Sequence, residues 1–447
     1  MKWKPYPKYK DSGVEWLGMV PEHWDVVKLR RVALSVDTGS TPALDSFCGE
    51  DAESQDCIPW YTPSDFGLNL TLCNSSKRLK RNIAIQNKWK IFPSGSVMIV
   101  GIGSIGNVGL LNADASANQQ INVIVPITNK IDGHFLVYTL AAKKDDMLRL
   151  SNVTILRIIN QNKTKEIWLE LPPLPEQRAI AAFLNAETAR IDSLIADYES
   201  LIDLLREERQ AIVAHAVTKG LNPDAPMKDS GVEWLGMVPE HWGCQKLRRV
   251  AKHVDTGSTP SGTISSDEEP DGIPWYTPGD LPDDIILSKS SKVLGQSDSD
   301  DNEAKLFPAG CVMVVSIGAT LGKVGYTVMD SSANQQINIV WPDTSVIFGR
   351  FLAYSLSVKK ENMLYMANSS TIGIMNQEKT KEIWLAIPPL PEQHAIAEYL
   401  DAETARIDGL IADAERAIEL LRESRAALIT DAVTGKMDVR DWQKECA

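Results

Sequence analysis

The feature that most limits what this chain can fold into is a duplication. The segment DSGVEWLGMVPEHW, Asp11 to Trp24, recurs letter for letter as Asp229 to Trp242, and KLRRVA follows both copies after three differing residues. VDTGSTP (Val36 to Pro42) returns at Val254 to Pro260, IPWYTP (Ile58 to Pro63) at Ile273 to Pro278, and ANQQIN (Ala117 to Asn122) at Ala333 to Asn338. Lys163 to Asp192 matches Lys379 to Asp408 at 24 of 30 positions. The offset drifts only between 215 and 218, so the chain is two nearly collinear copies of one unit with short loop insertions, not a solenoid array. With 447 residues, each half has enough material for a core of its own.

Each copy divides again. Residues 1–162 and 220–378 are rich in Gly, Pro, Ser and Asn around short β-prone runs such as SVMIVGI and INVIVPI, which predicts compact mixed α/β domains with a sheet. Residues 163–219 and 379–447 are expected to be helical. Pro172, Pro173 and Pro175 stop the preceding strand, Glu176 to Lys219 contains neither Gly nor Pro, and Gly220 stands at the C-cap position. Leu184, Ile191, Tyr198, Leu205 and Ile212 recur every seven residues, with Leu194, Ile195, Leu201 and Ile202 in the adjoining stripe. The equivalent stretch, Glu392 to Thr434, carries Leu400, Ile407, Ala414, Leu421 and Leu428. Helices of roughly 66 Å most simply pack on each other. A pseudo-twofold axis between identical halves makes that coiled coil antiparallel.

Enzyme signatures are weak. GIGSIG (Gly101 to Gly106) satisfies GxGxxG after the run VMIV, but the second copy reads SIGATLG (Ser316 to Gly322), which reads as a glycine-rich β-turn. Pro282-Asp283 with Glu303-Ala304-Lys305 fits a loose metal-nuclease spacing, yet the first copy has Lys88-Trp89-Lys90 there. The six histidines show no metal-ligand spacing, and His23 and His241 share a repeated PEHW turn where packing or capping is expected. The six cysteines form no CxxC pair, which predicts isolated thiols in a reducing compartment, with the cytoplasm as default. No apolar stretch approaches the length of a membrane span.

A duplicated chain without a catalytic signature suggests recognition. Positions identical in both copies serve the fold, phosphate contact or a shared partner; those that differ can read different things. Differences concentrate in Ala43–Cys57 against Ser261–Gly272, Ser64–Trp89 against Gly279–Ala304, Ser104–Asn107 against Ala319–Lys323, and Ile127–Ile159 against Pro342–Met375. The second window holds the strongest basic cluster, Lys77, Arg78, Lys80, Arg81, Lys88 and Lys90; its counterpart keeps Lys292 and Lys305, with Lys289 nearby and Lys323 in the third window. A formal charge of −13 argues against a nucleic-acid binder. The charge is uneven: residues 1–162 are +3, 163–219 are −3, 220–378 are −8 and 379–447 are −5. Much of the −8 lies in SSDEEPDG and SDSDDNE.

LPPLPEQRAIAAFLNAETARID and LPPLPEQHAIAEYLDAETARID, with DTGSTP, IPWYTPSD or IPWYTPGD, and ANQQIN in the same order twice, resemble the specificity subunits of type I restriction-modification systems over nearly the whole chain. One departure is Arg157, where the second copy keeps the expected glycine as Gly373. The resemblance implies a non-catalytic subunit with two target recognition domains, each reading half of an asymmetric bipartite site in double-stranded DNA, and paired helices fixing the unread spacer. It implies two methylation subunits acting on adenine N6 and two translocating endonuclease subunits as partners. S-adenosylmethionine, ATP and Mg are then expected on those partners and no cofactor on this chain. Asn118, Gln119 and Gln120, like Asn334, Gln335 and Gln336, can pair with adenine, but their identity in both copies favours a fold role. Two other functions fit a duplicated helical chain: a scaffold that binds only proteins, and a metal-dependent nuclease.

Overall fold

The computed structural model describes residues 4–48, 56–67, 69–151, 157–259, 264–265, 272–281, 284–294, 304–367 and 373–442. It falls into two compact units, Met1–Asp197 with Ala417–Ala447, and Tyr198–Arg416. In the first unit a five-stranded sheet runs in the order Ala33–Thr38, Ile121–Pro126, Val97–Val100, Val108–Leu111, Thr71–Leu72, antiparallel except at the last pair. A smaller sheet sets Cys57–Tyr61 between Ser116–Ala117 and Lys77–Lys80. The second unit has the same five-stranded order in Ala251–Thr256, Ile337–Pro342, Val312–Val315, Val324–Thr327 and Ile286–Leu287.

The central runs VMIV and VMVV are buried at every position because their sheets are covered on both faces. Alternation still sorts the side chains. Val97 and Ile99 enter one core while Met98 and Val100 enter the other, and Val312, Val314, Met313 and Val315 divide the same way. The GIGSIG segment links the antiparallel strands Val97–Val100 and Val108–Leu111, with Gly103 and Gly106 at φ of 82° and 90°. That is a hairpin turn, and no dinucleotide-binding helix follows it. The repeated DTGSTP glycine has a different origin: a Cβ on Gly39 would lie 2.1 Å from the Ala117 carbonyl oxygen, and one on Gly257 2.2 Å from that of Ala333. The loops that lead to Arg157 and Gly373, residues 152–156 and 368–372, lie outside the described residues.

Two long helices, Leu174–Lys219 and Leu390–Val433, end at Gly220 and Gly435, both at positive φ. The repeated PEQ at their start is a fold device. The Gln177 amide donates to the Pro172 and Lys130 carbonyls and accepts from the Asp132 N–H; Gln393 makes the matching bonds to Pro388, Val346 and Phe348. Glu176 accepts from Tyr6 at 2.7 Å and Trp24 at 3.0 Å and pairs with His23 at 2.8 Å, while Glu392 pairs with His241 at 2.8 Å. The PEHW histidines therefore anchor helix starts.

Within each unit the helical segments run antiparallel. In the first, Asp192 pairs with Arg425 at 2.9 Å and Phe183 stacks edge-on against Trp442; in the second, Asp408 pairs with Arg209 at 3.1 Å and Glu208 with Arg406 at 3.8 Å. The buried stripe departs from the heptad reading. Leu184, Ile191, Leu205, Leu400, Ile407 and Ala414 are buried, but Tyr198, Ile212, Leu421 and Leu428 are only half-buried and Leu201 is 43% exposed. The strict repeat is eleven residues: Ile180, Ile191, Ile202 and Val213 on one helix, and Ile396, Ile407, Ile418 and Ile429 on the other, are all buried. Eleven residues over three turns is about 3.67 per turn, close to an ordinary α-helix, whereas seven would demand left-handed supercoiling. Chains of both periods share many apolar positions over two turns, which is why the sequence alone suggests seven.

Asp192–Arg425 and Asp408–Arg209 are the same pair in the two copies, and both arginines are largely covered, at 12% and 16% exposure. Asp192→Arg should destabilise the first unit, and adding Arg425→Asp should recover part of the loss. A double-mutant cycle in urea should return a coupling of about 0.5–3 kcal/mol.

Candidate nucleic-acid interface

Two of the four variable windows, Ser64–Trp89 and Ser104–Asn107, meet repeated motifs at one place in the first unit. Thr62, Pro63 and Ser64, then Ser76 and Lys77, then Ile102, Gly103 and Ser104, and finally Asn118 and Gln120 line an open groove of about 520 Å³. Four of the repeated or variable sequence segments thus converge. The groove is framed by a carboxylate: Asp65 accepts from the Thr62 N–H and hydroxyl at 2.7 and 2.8 Å through one oxygen and from the Ser76 N–H at 2.8 Å through the other. Asp280 does the same for Thr277 and Ser291. Burial raises the Asp280 pKa, but the Thr277 and Ser291 hydrogen bonds outweigh it and hold the carboxyl below its ordinary range, so the frame is an ionised acceptor. Both copies place SSK at the same distance beyond this Asp, with Ser76 and Ser291 each eleven residues on; the spacing is present in the sequence, but only the fold shows that it closes a frame.

The frame is common and the lining differs. Ser64 and Ser104 are replaced by Gly279 and Ala319, while Lys77, Asn118 and Gln120 keep their counterparts Lys292, Asn334 and Gln336. Asn118 is buried and locked: its carbonyl accepts from the Gln120 N–H and its amide donates to the Gln120 side chain at 3.0 Å, which supports the expected fold role. Asn334 and Gln336 form the same lock. Gln119 and Gln335 are exposed, with Gln335 accepting from the Thr259 hydroxyl.

The basic cluster is more dispersed than its sequence suggests. Lys77, Arg78 and Lys80 lie on the strand Lys77–Lys80, where Leu79 turns inward. Lys77 is exposed, with its ammonium 5.5 Å from the Phe47 ring centre. Arg78 donates to the Cys57 carbonyl at 2.8 Å and Lys80 to that of Asp45 at 3.0 Å. Arg81 is 3.5 Å from Asp114, Lys88 sits at φ 55°, and Lys90 is ion-paired with Asp37. Burial raises the Asp37 pKa, yet hydrogen bonds from Lys90 and Ser35 bring it below the ordinary value. In the second unit Lys289 is exposed and Lys292 lies 5.6 Å from the Trp275 ring centre; Lys305 donates to the Thr256 carbonyl and Lys323 to that of Leu281. Of these ten cations, Lys77 lines the groove and Lys292 holds the matching place.

Cys48 and Cys57 are bonded as a disulfide, contrary to the expectation of isolated thiols. The residue before Cys48, Phe47, bridges to Leu79, while Cys57 pairs with Lys80, so one basic strand brings together two cysteines that spacing alone did not link. Cys73, Cys244 and Cys311 are thiols. Pro282, Asp283 and Glu303 of the nuclease-like spacing lie outside the described residues. Among the described residues no three His, Cys, Asp or Glu side chains are grouped as a metal site, and no helix is long and apolar enough to cross a membrane.

The family model for the type I restriction modification DNA specificity domain matches residues 21–197 and again 239–419. The chain belongs to this family. The putative type I restriction enzyme MjaX specificity subunit of Methanocaldococcus jannaschii is 23% identical to this DNA specificity chain over 442 residues, covering 95% of it and 96% of the relative. The EcoBI specificity subunit of Escherichia coli is 23% identical over 361 residues, 78% of this chain and 75% of the relative. Among solved structures, a chain from a study of complex assembly and conformational transition of the type I R-M system aligns with TM-score 0.71 at 17% identity, covering 94% of this chain and 99% of that one. The HsdS subunit from Thermoanaerobacter tengcongensis aligns with TM-score 0.53 at 18% identity, over 94% and 98%. These structures bear out the mixed α/β domains and long helices as the fold of a type I specificity chain.

Proposed function

We propose that this chain, a type I DNA specificity subunit, reads a bipartite asymmetric site in double-stranded DNA, one half through each unit. The observation that carries the reading is one hydrogen-bonded frame built twice, around Asp65 and Asp280, with different linings at Ser64/Gly279 and Ser104/Ala319. Side chains set on a common frame approach DNA in the same way, and polar groups that differ between copies select different base edges. Lys77 and Lys292 serve as phosphate contacts at the groove rims. The paired helices set the distance between half-sites. The chain itself is non-catalytic and acts in the cytoplasm. It assembles with two methylation subunits and two translocating endonuclease subunits, which supply S-adenosylmethionine, ATP and Mg.

The net charge of −13 fits a subunit that binds DNA weakly alone and relies on its partners for most phosphate contacts. In the complex assembled with the methylation subunit, changing Lys77 and Lys292 together to Ala should lower the slope of log K against log salt by about 0.9 for each phosphate that is no longer neutralised. Arg78→Ala and Lys80→Ala should change it less, because those side chains already bond to carbonyl groups. Titrations of fluorescent duplex at several salt concentrations test this. Equal slopes for the parent and the Lys77/Lys292 variant overturn the phosphate assignment, and absence of a footprint on any duplex overturns the DNA-binding function.

A further inference from the structure

The longest uninterrupted identity between the copies, Lys10–Trp24 and Lys228–Trp242, is only partly explained by the fold. It forms two small hairpins, Tyr9–Asp11 with Met19–Pro21 and Met227–Asp229 with Met237–Pro239. Val20 and Trp24, like Val238 and Trp242, are buried. Asp11 and Ser12 accept from the N–H groups of Gly13 and Val14, and Gly13 and Gly18 have positive φ; the second copy repeats each of these. Those residues have a structural reason to be unchanged.

Glu15, Trp16 and Met19 have no such reason common to both copies: the Trp234 ring lies 6.3 Å from that of Tyr365, but the position matching Tyr365 in the first copy is Arg149. Trp16 is 54% and Met19 56% exposed, and Trp234 and Met237 are each 48% exposed. Glu15 and Glu233 are exposed beside them. Immediately beyond the block the copies diverge, from Asp25-Val26-Val27 to Gly243-Cys244-Gln245. Two exposed apolar side chains and a carboxylate held unchanged twice point to one surface that touches the same thing twice. Exposed Trp and Met beside carboxylates repel phosphate and suit a protein pocket. The hairpins are also joined to the other near-identical block: Trp24 and His23 reach Glu176 at the start of one long helix, and His241 reaches Glu392 at the start of the other.

We propose that the Trp16/Met19 hairpin and the Trp234/Met237 hairpin are equivalent docking points for two copies of one protein partner, each inserting Trp and Met into an apolar pocket rimmed by cations that meet Glu15 or Glu233. The proposal rests on the proposed function in taking the methylation subunit as that partner. It goes beyond that function in assigning the contact to a named surface, the two hairpins.

The test is native mass spectrometry and titration of the full-length chain with the purified methylation subunit, for the parent, Trp16→Ala/Met19→Ala, Trp234→Ala/Met237→Ala and the combined variant. Circular dichroism melting checks that each is folded. The expected result is two partners on the parent, one tightly held on each single-hairpin variant, and affinity at each altered site at least 30-fold weaker. Two partners held at parental affinity by the combined variant overturn the hairpin assignment while leaving the DNA-reading function intact. A parent that binds no methylation subunit overturns both. In a second titration with the endonuclease subunit added, loss of that subunit alone from the combined variant, with methylation subunits retained, overturns the choice of partner.

Discussion

Glu170→Ala should destabilise the first unit by about 3–5 kcal/mol, the cost of leaving one member of a buried ion pair unpaired. Glu170 and Lys143 are both almost fully buried, with side-chain exposures of 1% and 4%, and their charged atoms are 2.8 Å apart; Asp146 adds a second carboxylate 3.8 Å from the same ammonium. The duplication supplies the natural comparison. Position by position, Lys143 becomes Lys359, Glu170 becomes Ala386 and Asp146 becomes Asn362. Both acids have gone and the lysine has stayed, 7% exposed. Burial pushes the Lys359 ammonium down to about 8, with the neighbouring Cys244 raising it slightly.

The pH dependence of the second unit follows in sign. The unfolded chain holds this proton up to the ordinary value of 10.5, whereas the folded chain releases it near 8. Between those values the unfolded state binds more protons, so stability rises with pH; below 8 the full penalty is present and flat. Lys359→Met should therefore stabilise the second unit at pH 7 by roughly 1–3 kcal/mol, and the gain should shrink as pH passes 8 towards 10. Burial raises the Cys244 thiol, which contributes in the opposite direction, and the parent-minus-variant difference at each pH largely removes it. Glu233 and Glu361 line the cleft beside Lys359, and neither forms an ion pair with it among the described residues. Hydrogen exchange read on peptides of each unit separates the two effects: Glu170→Ala should lower protection at Ile121–Pro126 and spare Ile337–Pro342. Unchanged protection at both sheets refutes the account.

This asymmetry illustrates where the sequence is legible. Self-comparison locates the strand runs and the starts of both long helices to within two residues of Glu176 and Glu392, because helix starts and stops are written locally in Pro, Glu-Gln and Gly, but not the division of the chain into units, which cuts both helices at Asp197/Tyr198 and Arg416/Ala417. It also marks Asn118 and Asn334 as residues of the fold, and both are locked as their identity implies. Non-local facts are out of reach. The Cys48–Cys57 bond, the Asp65 and Asp280 frames and the tie of Arg78 to Cys57 depend on which strands lie side by side. A run of cations in sequence is also not a surface patch when alternate strand positions and nearby carbonyls divide it. The acidic loops SSDEEPDG and SDSDDNE fall mostly outside the described residues.

Replacing Ser64–Trp89 by Gly279–Ala304 should change the methylated sequence in one half of the site and leave the other half as it was. The exchanged piece carries its own frame, because Asp65 with Ser76 and Asp280 with Ser291 both lie inside their segments, while Thr62 outside it is matched by Thr277. It also carries its rim cation, Lys77 or Lys292. What changes is the lining at Ser64 and the arrangement of the loop beyond it. A misread base pair costs about 1–3 kcal/mol, so two altered positions move the preference by roughly 30-fold to 10⁴-fold, enough to replace one methylation motif by another. Single-molecule sequencing of DNA from cells that carry the exchanged chain with its methylation partner reads both halves at once. The retained half shows that the complex still assembles, so an unchanged first half would mean that Ser64–Trp89 does not select bases. Adding Ser104→Ala to the exchange tests the remaining difference in the groove, since it completes the second unit's lining on the first unit's scaffold.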